Sequence, residues 1–140
     1  MNATLLYRIA AALLLLFAVG HTLGFLSFKP TSPEALAVRD AMNNVAFQLR
    51  GSSYTYGNFY KGFGLMVTAY LIFSAYLAWH LGKLAASQPQ AIGFLGWAFA
   101  AAQFACLVLS VTYFFLLPTL FSGAVVLCLV WAAWLAQRAA

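Results

Sequence analysis

Four long apolar stretches, interrupted by one sizeable polar segment and two short breaks, set the pattern of this 140-residue chain. The first runs from about Thr4 to Leu26, and at about 1.5 Å per helical residue it is long enough to cross a hydrocarbon layer of roughly 30 Å. The second runs from about Phe59 to Gly82 and ends at Trp79, His80 and Lys83, an aromatic and basic group suited to a membrane boundary. From Gly93 to Ala136 the chain is almost uninterruptedly apolar, too long for one crossing, and Pro118 is its one strong breaker. A turn placed there puts Pro118 near the start of a helix, where its missing N–H costs least. The predicted spans are therefore about 4–26, 59–82, 92–115 and 119–137.

The polar segment lies between the first two spans, from Ser27 to Asn58. Ser32, Pro33 and Glu34 make a helix start, and Val38, Met42, Val45 and Leu49 then recur at helical spacing opposite Arg39, Asp40, Asn43 and Gln48. This predicts an amphipathic helix over about 33–50, lying on the membrane surface or lidding the mouth of the bundle. The next stretch interleaves Tyr54, Tyr56, Phe59 and Tyr60 with Gly57, Gly62 and Gly64 and is expected at the interface. The fold class that results is all-α: a single membrane domain over 1–140, with four transmembrane helices in an up-down bundle and an amphipathic helix in the first loop.

Composition excludes a water-soluble alternative. Apolar residues make up 65% of the chain, charged residues 6%, and mean hydropathy is +0.91, whereas soluble domains carry about a quarter charged residues. The net charge of +5 is spread singly beside apolar runs, which is membrane flanking and leaves no patch for nucleic acid. Arg8 followed by a Leu-rich stretch and the small residues Ala18 and Gly20 has the order of a signal peptide, but is read here as the first span. Arg8, Lys83 and Arg138 fall on one side, tight against spans, and Lys29, Arg39, Arg50 and Lys61 on the other. The positive-inside rule then puts the termini in the cytoplasm. Cys106 and Cys128 lie within apolar runs without CxxC spacing and read as packing residues.

An ionisable side chain inside a span is costly, so His21 is the first functional candidate. Counted inward from the loop-side helix ends, His21, Gly64, Tyr113 and Ser122 lie within about one helical turn of a common level. Gly62 and Gly64 are expected to leave room opposite the imidazole, with Asn58, Tyr60 and Lys61 just above. Such a space has an apolar floor and a polar mouth. In it Tyr60 and Tyr113 would donate hydrogen bonds and Arg50 or Lys61 would attract an anionic head group. The occupant expected is a membrane lipid or other lipophilic small molecule. In the simpler alternative, Gly20 and Gly24 frame a GxxxG pattern and His21 only hydrogen-bonds a neighbouring carbonyl. Gln103 is expected to bond between helices, His80 to anchor at the interface, and Arg39 and Asp40 to face solvent. No metal and no cofactor is expected: His21 and His80 lie near opposite ends of adjacent spans, unsuited to bis-histidine haem. Both acids, Glu34 and Asp40, lie in the loop, unsuited to proton-coupled export.

Two motifs, Gly20-His21-Thr22-Leu23-Gly24-Phe25 and Asn58-Phe59-Tyr60-Lys61-Gly62-Phe63-Gly64-Leu65, resemble those of a family of small, largely uncharacterised bacterial four-helix membrane proteins. The resemblance covers most of the chain. It implies a multi-pass protein of the bacterial inner membrane and directs attention to His21 and Tyr60, without implying a reaction. Three functions follow as expectations: a lipid-binding module centred on His21; a membrane enzyme using His21 and Tyr60 in acid–base chemistry, with Glu34 or Asp40 folded towards the imidazole; or an accessory or homo-oligomeric subunit packing through Gly20, Gly24, Gly93 and Gly96.

Overall fold

A computed structural model describes residues 2–139. Its elements are α1 (Ala3–Ser27), α2 (Pro33–Asn44), strands β1 (Ala46–Leu49) and β2 (Ser52–Thr55), α3 (Tyr56–Ser87), a 3-10 turn (Pro89–Ile92), α4 (Leu95–Tyr113) and α5 (Leu116–Ala139). Among the described residues α1, α3, α4 and α5 are the four helices long and apolar enough to cross a membrane. The expected turn is at Phe114, whose extended backbone ends α4, and Pro118 stands in the first turn of α5. At about 1.5 Å per residue, the 32 residues of α3 span about 48 Å. That exceeds a hydrocarbon core of roughly 30 Å, so the ends of α3 extend into the interfacial layers.

The chain divides into two compact units, Met1–Ala18 with Leu71–Ala140, and Val19–Tyr70. In the first unit the interior is built largely of small residues: Ala10 and Ala18 from α1, Ala75 and Ala78 from α3, Ala100 from α4, Ala132 and Ala136 from α5, with Leu14, Leu81 and Leu129 fully buried among them. Lipid is as apolar as leucine, so helices in a membrane gain by close backbone approach, which small residues permit. Hydrogen bonds join the helices where polar side chains are buried. Gln103 Nε2 donates to Ser74 Oγ at 3.1 Å, and the Ser110 and Ser122 hydroxyls meet at 3.2 Å. Gln103 therefore links α4 to α3, as its position mid-span suggested. Trp97 Nε1 donates to Gln137 Oε1 at 3.1 Å nearer the helix ends. Arg8 lies over the Trp79 ring at 5.3 Å and Arg138 over Trp134 at 3.8 Å, so these cations rest on the boundary aromatics. Tyr7 is the exception to this economy: it is fully buried, and its hydroxyl has no hydrogen-bond partner among the described residues.

In the second unit the loop helix is shorter than its spacing predicted. Ser32 caps α2, accepting from the Ala35 N–H at 3.2 Å, and Pro33 occupies the first turn. The helix then stops at Asn44 instead of continuing to 50. Asn43 turns its amide back onto the Arg39 carbonyl at 2.8 Å, and such local bonding is one reason asparagine weakens helices. Residues 46–49 pair antiparallel with 52–55, placing Phe47 opposite Tyr54. Arg50 and Gly51 form the turn with φ of 51° and 82°; left-handed values at both central residues match the twist of a two-residue hairpin. Val45 and Leu49 thus kept a helical period by coincidence, and the Arg50-Gly51 pair was the overlooked signal. Rings hold the hairpin to the start of α3: Phe47 lies 4.9 Å from Tyr56 and 5.7 Å from Phe59, and Tyr54 meets Phe59 edge-on at 5.8 Å. The Thr55 hydroxyl accepts from the Asn58 N–H at 3.2 Å and caps α3.

Candidate functional site

The candidate site lies within Val19–Tyr70 and begins with a contact between two spans. His21 on α1 places Nε2 3.0 Å from the Gly64 carbonyl oxygen on α3. A carbonyl only accepts, so Nε2 carries the hydrogen and donates it to Gly64. Beside it, the hydroxyl of Thr22 meets that of Thr68, one turn along α3 from Gly64, at 2.9 Å. The imidazole is half-buried and spends its donor on tying α1 to α3.

The room that Gly64 provides is filled by Phe25. A Cβ on Gly64 would lie 2.6 Å from Phe25 Cε2 and 2.7 Å from Cε1. The Phe25 ring stacks on His21 at 5.7 Å with 6° between planes, and its centroid is 5.2 Å from that of Tyr60. His21, Phe25 and Tyr60 thus form a continuous row of rings. Gly62 plays no such part, since nothing lies within 4 Å of where its Cβ would be.

Beyond Phe25 opens a cleft of about 900 Å³, lined by the end of α1, the following loop, one side of α2 and the start of α3. Phe25, Leu26, Phe28, Val38 and Met42 give it apolar walls, while Arg39, Asp40, Tyr60 and Lys61 supply polar groups. From α2 it takes Ala35, Val38, Arg39, Met42 and Asn43, positions three and four apart that form one helical face, with Asp40 at the edge of that face. Arg39 and Asn43 therefore belong to the same side as Val38 and Met42, not to an opposite solvated one. Among the described residues, Arg39, Asp40 and Lys61 make no ion pair. Buried Gly57 lets α2 approach α3 closely: a Cβ there would meet the Asn43 side chain, with Asn43 Cγ and the Met42 carbonyl oxygen at 3.1 Å.

Of the residues singled out by sequence, Tyr60 and Lys61 line this cleft, while His21 and Gly64 meet each other behind Phe25. Asn58 is exposed in the first turn of α3, and Arg50 is exposed at the hairpin tip; neither lines the cleft. Tyr113 and Ser122 belong to the other unit. There Ser122 is buried against Ser110, and Tyr113 faces outward at the end of α4. No hydrogen bond joins His21 to Glu34 or Asp40 among the described residues, and Asp40 lines the cleft while His21 does not. The glycines expected on a packing surface also separate. Gly96 is buried against the Tyr7 hydroxyl, and Gly93 takes φ of 48° in the turn before α4. Gly20 and Gly24 have open space where a Cβ would stand.

Four spanning helices joined by a helix and hairpin on the first loop define a multi-pass α-helical membrane protein. No protein-family model, curated protein or solved structure matches the chain.

Proposed function

We propose that this protein binds a lipid or similar amphiphile in the cleft walled by Phe25, Val38 and Met42 and rimmed by Arg39 and Lys61. The observation that carries the reading is the combination of about 900 Å³ of apolar-walled space with two cations, Arg39 and Lys61, that make no ion pair among the described residues. Ligand sites are mostly apolar concavities with a few polar groups that fix orientation, and an amphiphile matches that division. Tyr60 offers a hydroxyl at the same rim. His21 acts from behind, as a positioning residue: its bond to Gly64 and its stacking hold Phe25 in the wall. In this reading Arg8, Lys83 and Arg138 keep the termini in the cytoplasm of a bacterial cell, in its inner membrane.

Native mass spectrometry of the full chain released from mild detergent tests the reading. The expected result is a retained species of lipid mass, lost in Ala35→Trp, which fills the α2 side of the cleft, and reduced in His21→Ala. Arg50→Gly is expected to retain it unchanged, because glycine suits the left-handed φ at that position and the removed charge lies at the hairpin tip. Equal retention by wild type and Ala35→Trp would place bound lipid elsewhere on the protein.

A further inference from the structure

The cleft carries charge of both signs, and this narrows its occupant. The chain has two acidic residues in 140, and one of them, Asp40, lines the cleft together with Arg39 and Lys61. A carboxylate placed there to neutralise its neighbours would pair with one of them, yet none of the three makes an ion pair among the described residues. A purely anionic head group would satisfy Arg39 and Lys61 but be repelled by Asp40. A neutral one would leave all three charges without a counter-charge in the cleft. A head group bearing a phosphate and an ammonium answers each of them.

We propose that the cleft recognises a zwitterionic phospholipid, with Arg39 and Lys61 facing its phosphate and Asp40 its ammonium group. This rests on the lipid-binding reading above and adds the head-group class to it. The acyl chains lie along Phe25, Val38 and Met42, which line the same cleft. Phosphate accepts from guanidinium and ammonium donors alike, and a primary ammonium donates to a carboxylate. Asp40 is then the specificity residue. It contributes by rejecting lipids that lack a cation, since discrimination often depends on a repulsive element as much as an attractive one.

The test is competition by native mass spectrometry: the full chain in mild detergent with equimolar dioleoyl phosphatidylethanolamine, dioleoyl phosphatidylglycerol and dioleoylglycerol. Wild type is expected to retain phosphatidylethanolamine over phosphatidylglycerol by about threefold, the factor one exposed charge pair supplies. Asp40→Asn is expected to abolish or invert that ratio while leaving total retention in place. Arg39→Gln should lower both phospholipids relative to dioleoylglycerol. Asp40 is exposed on α2, so the variant is expected to fold, and an unchanged thermal melt verifies this. A wild-type preference for phosphatidylglycerol, or a ratio that does not move in Asp40→Asn, overturns the head-group assignment while cleft-dependent retention stands. Retention of all three lipids that is indifferent to Ala35→Trp sinks the lipid-binding reading and this one with it.

Discussion

Alanine at Gly96 is expected to lower the unfolding midpoint of the purified protein. A Cβ there would stand 2.7 Å from the Tyr7 hydroxyl oxygen, 3.1 Å from Ile92 Cγ2 and 3.4 Å from Ala133 Cβ. Helix propensity favours alanine over glycine by about 1 kcal/mol, so the sign depends on whether Tyr7 can move. Tyr7 is fully buried in the alanine-rich interior and has no open side to turn towards. Overpacking of this kind costs roughly 1–3 kcal/mol, enough to outweigh the propensity gain. Tyr7→Phe removes the obstructing atom and also a buried hydroxyl that lacks a partner. An unsatisfied buried polar group costs about 1–3 kcal/mol, so Tyr7→Phe alone is expected to leave the protein as stable or more so. The double variant should then recover most of what Gly96→Ala loses. Thermal melts of the four proteins in one detergent measure the coupling; strictly additive shifts would mean that the hydroxyl and the new methyl do not meet.

The second large effect is expected at Gly64. Alanine there drives the Phe25 ring from its seat, since ring atoms lie within 2.7 Å of the added carbon. Phe25 is held on one side by His21 at 5.7 Å and on the other by Tyr60 at 5.2 Å, and each such ring contact contributes about 0.5–1.5 kcal/mol beyond burial. The cleft that Phe25 lines is open space into which the displaced ring can move. Gly64→Ala should therefore destabilise the protein by about 1–3 kcal/mol and abolish retention of a bound amphiphile, two losses read by melting and by native mass spectrometry. Phe25→Ala frees the space, so adding Gly64→Ala to that background should cost nothing further. If Gly64→Ala melts and binds like wild type, Phe25 is not part of the wall and the row of rings behind it has no functional role.

The contact of His21 with Gly64 was half legible in sequence. A histidine in an apolar span called for a partner, and the glycine at a matching depth on the next helix is where the bond falls. That the glycine's room is taken by a phenylalanine four residues after the histidine depends on the rotation of α1 and α3 about their axes. Nothing in the pattern of apolar residues fixes that rotation. Ser122 illustrates the same point: its depth was readable, but the hydroxyl it meets is Ser110 on the adjoining helix.

The four spans, the break before Pro118 and the cap at Ser32 could be read from local sequence, because a hydrocarbon layer demands about 20 apolar residues per crossing and caps are local chemistry. Which faces of those spans are inside, where α2 ends, and which of the loop charges line the cleft depend on contacts in the folded chain. In water a core-facing stripe differs from a solvent-facing one; in lipid both are apolar, so hydropathy marks the helices without marking their sides. For the loop, the ring cluster of Phe47, Tyr54, Tyr56 and Phe59 accompanies a hairpin where the spacing of Val45 and Leu49 alone suggested more helix. The left-handed turn at Arg50 and Gly51 and the ring contacts it sets up outweigh the local period.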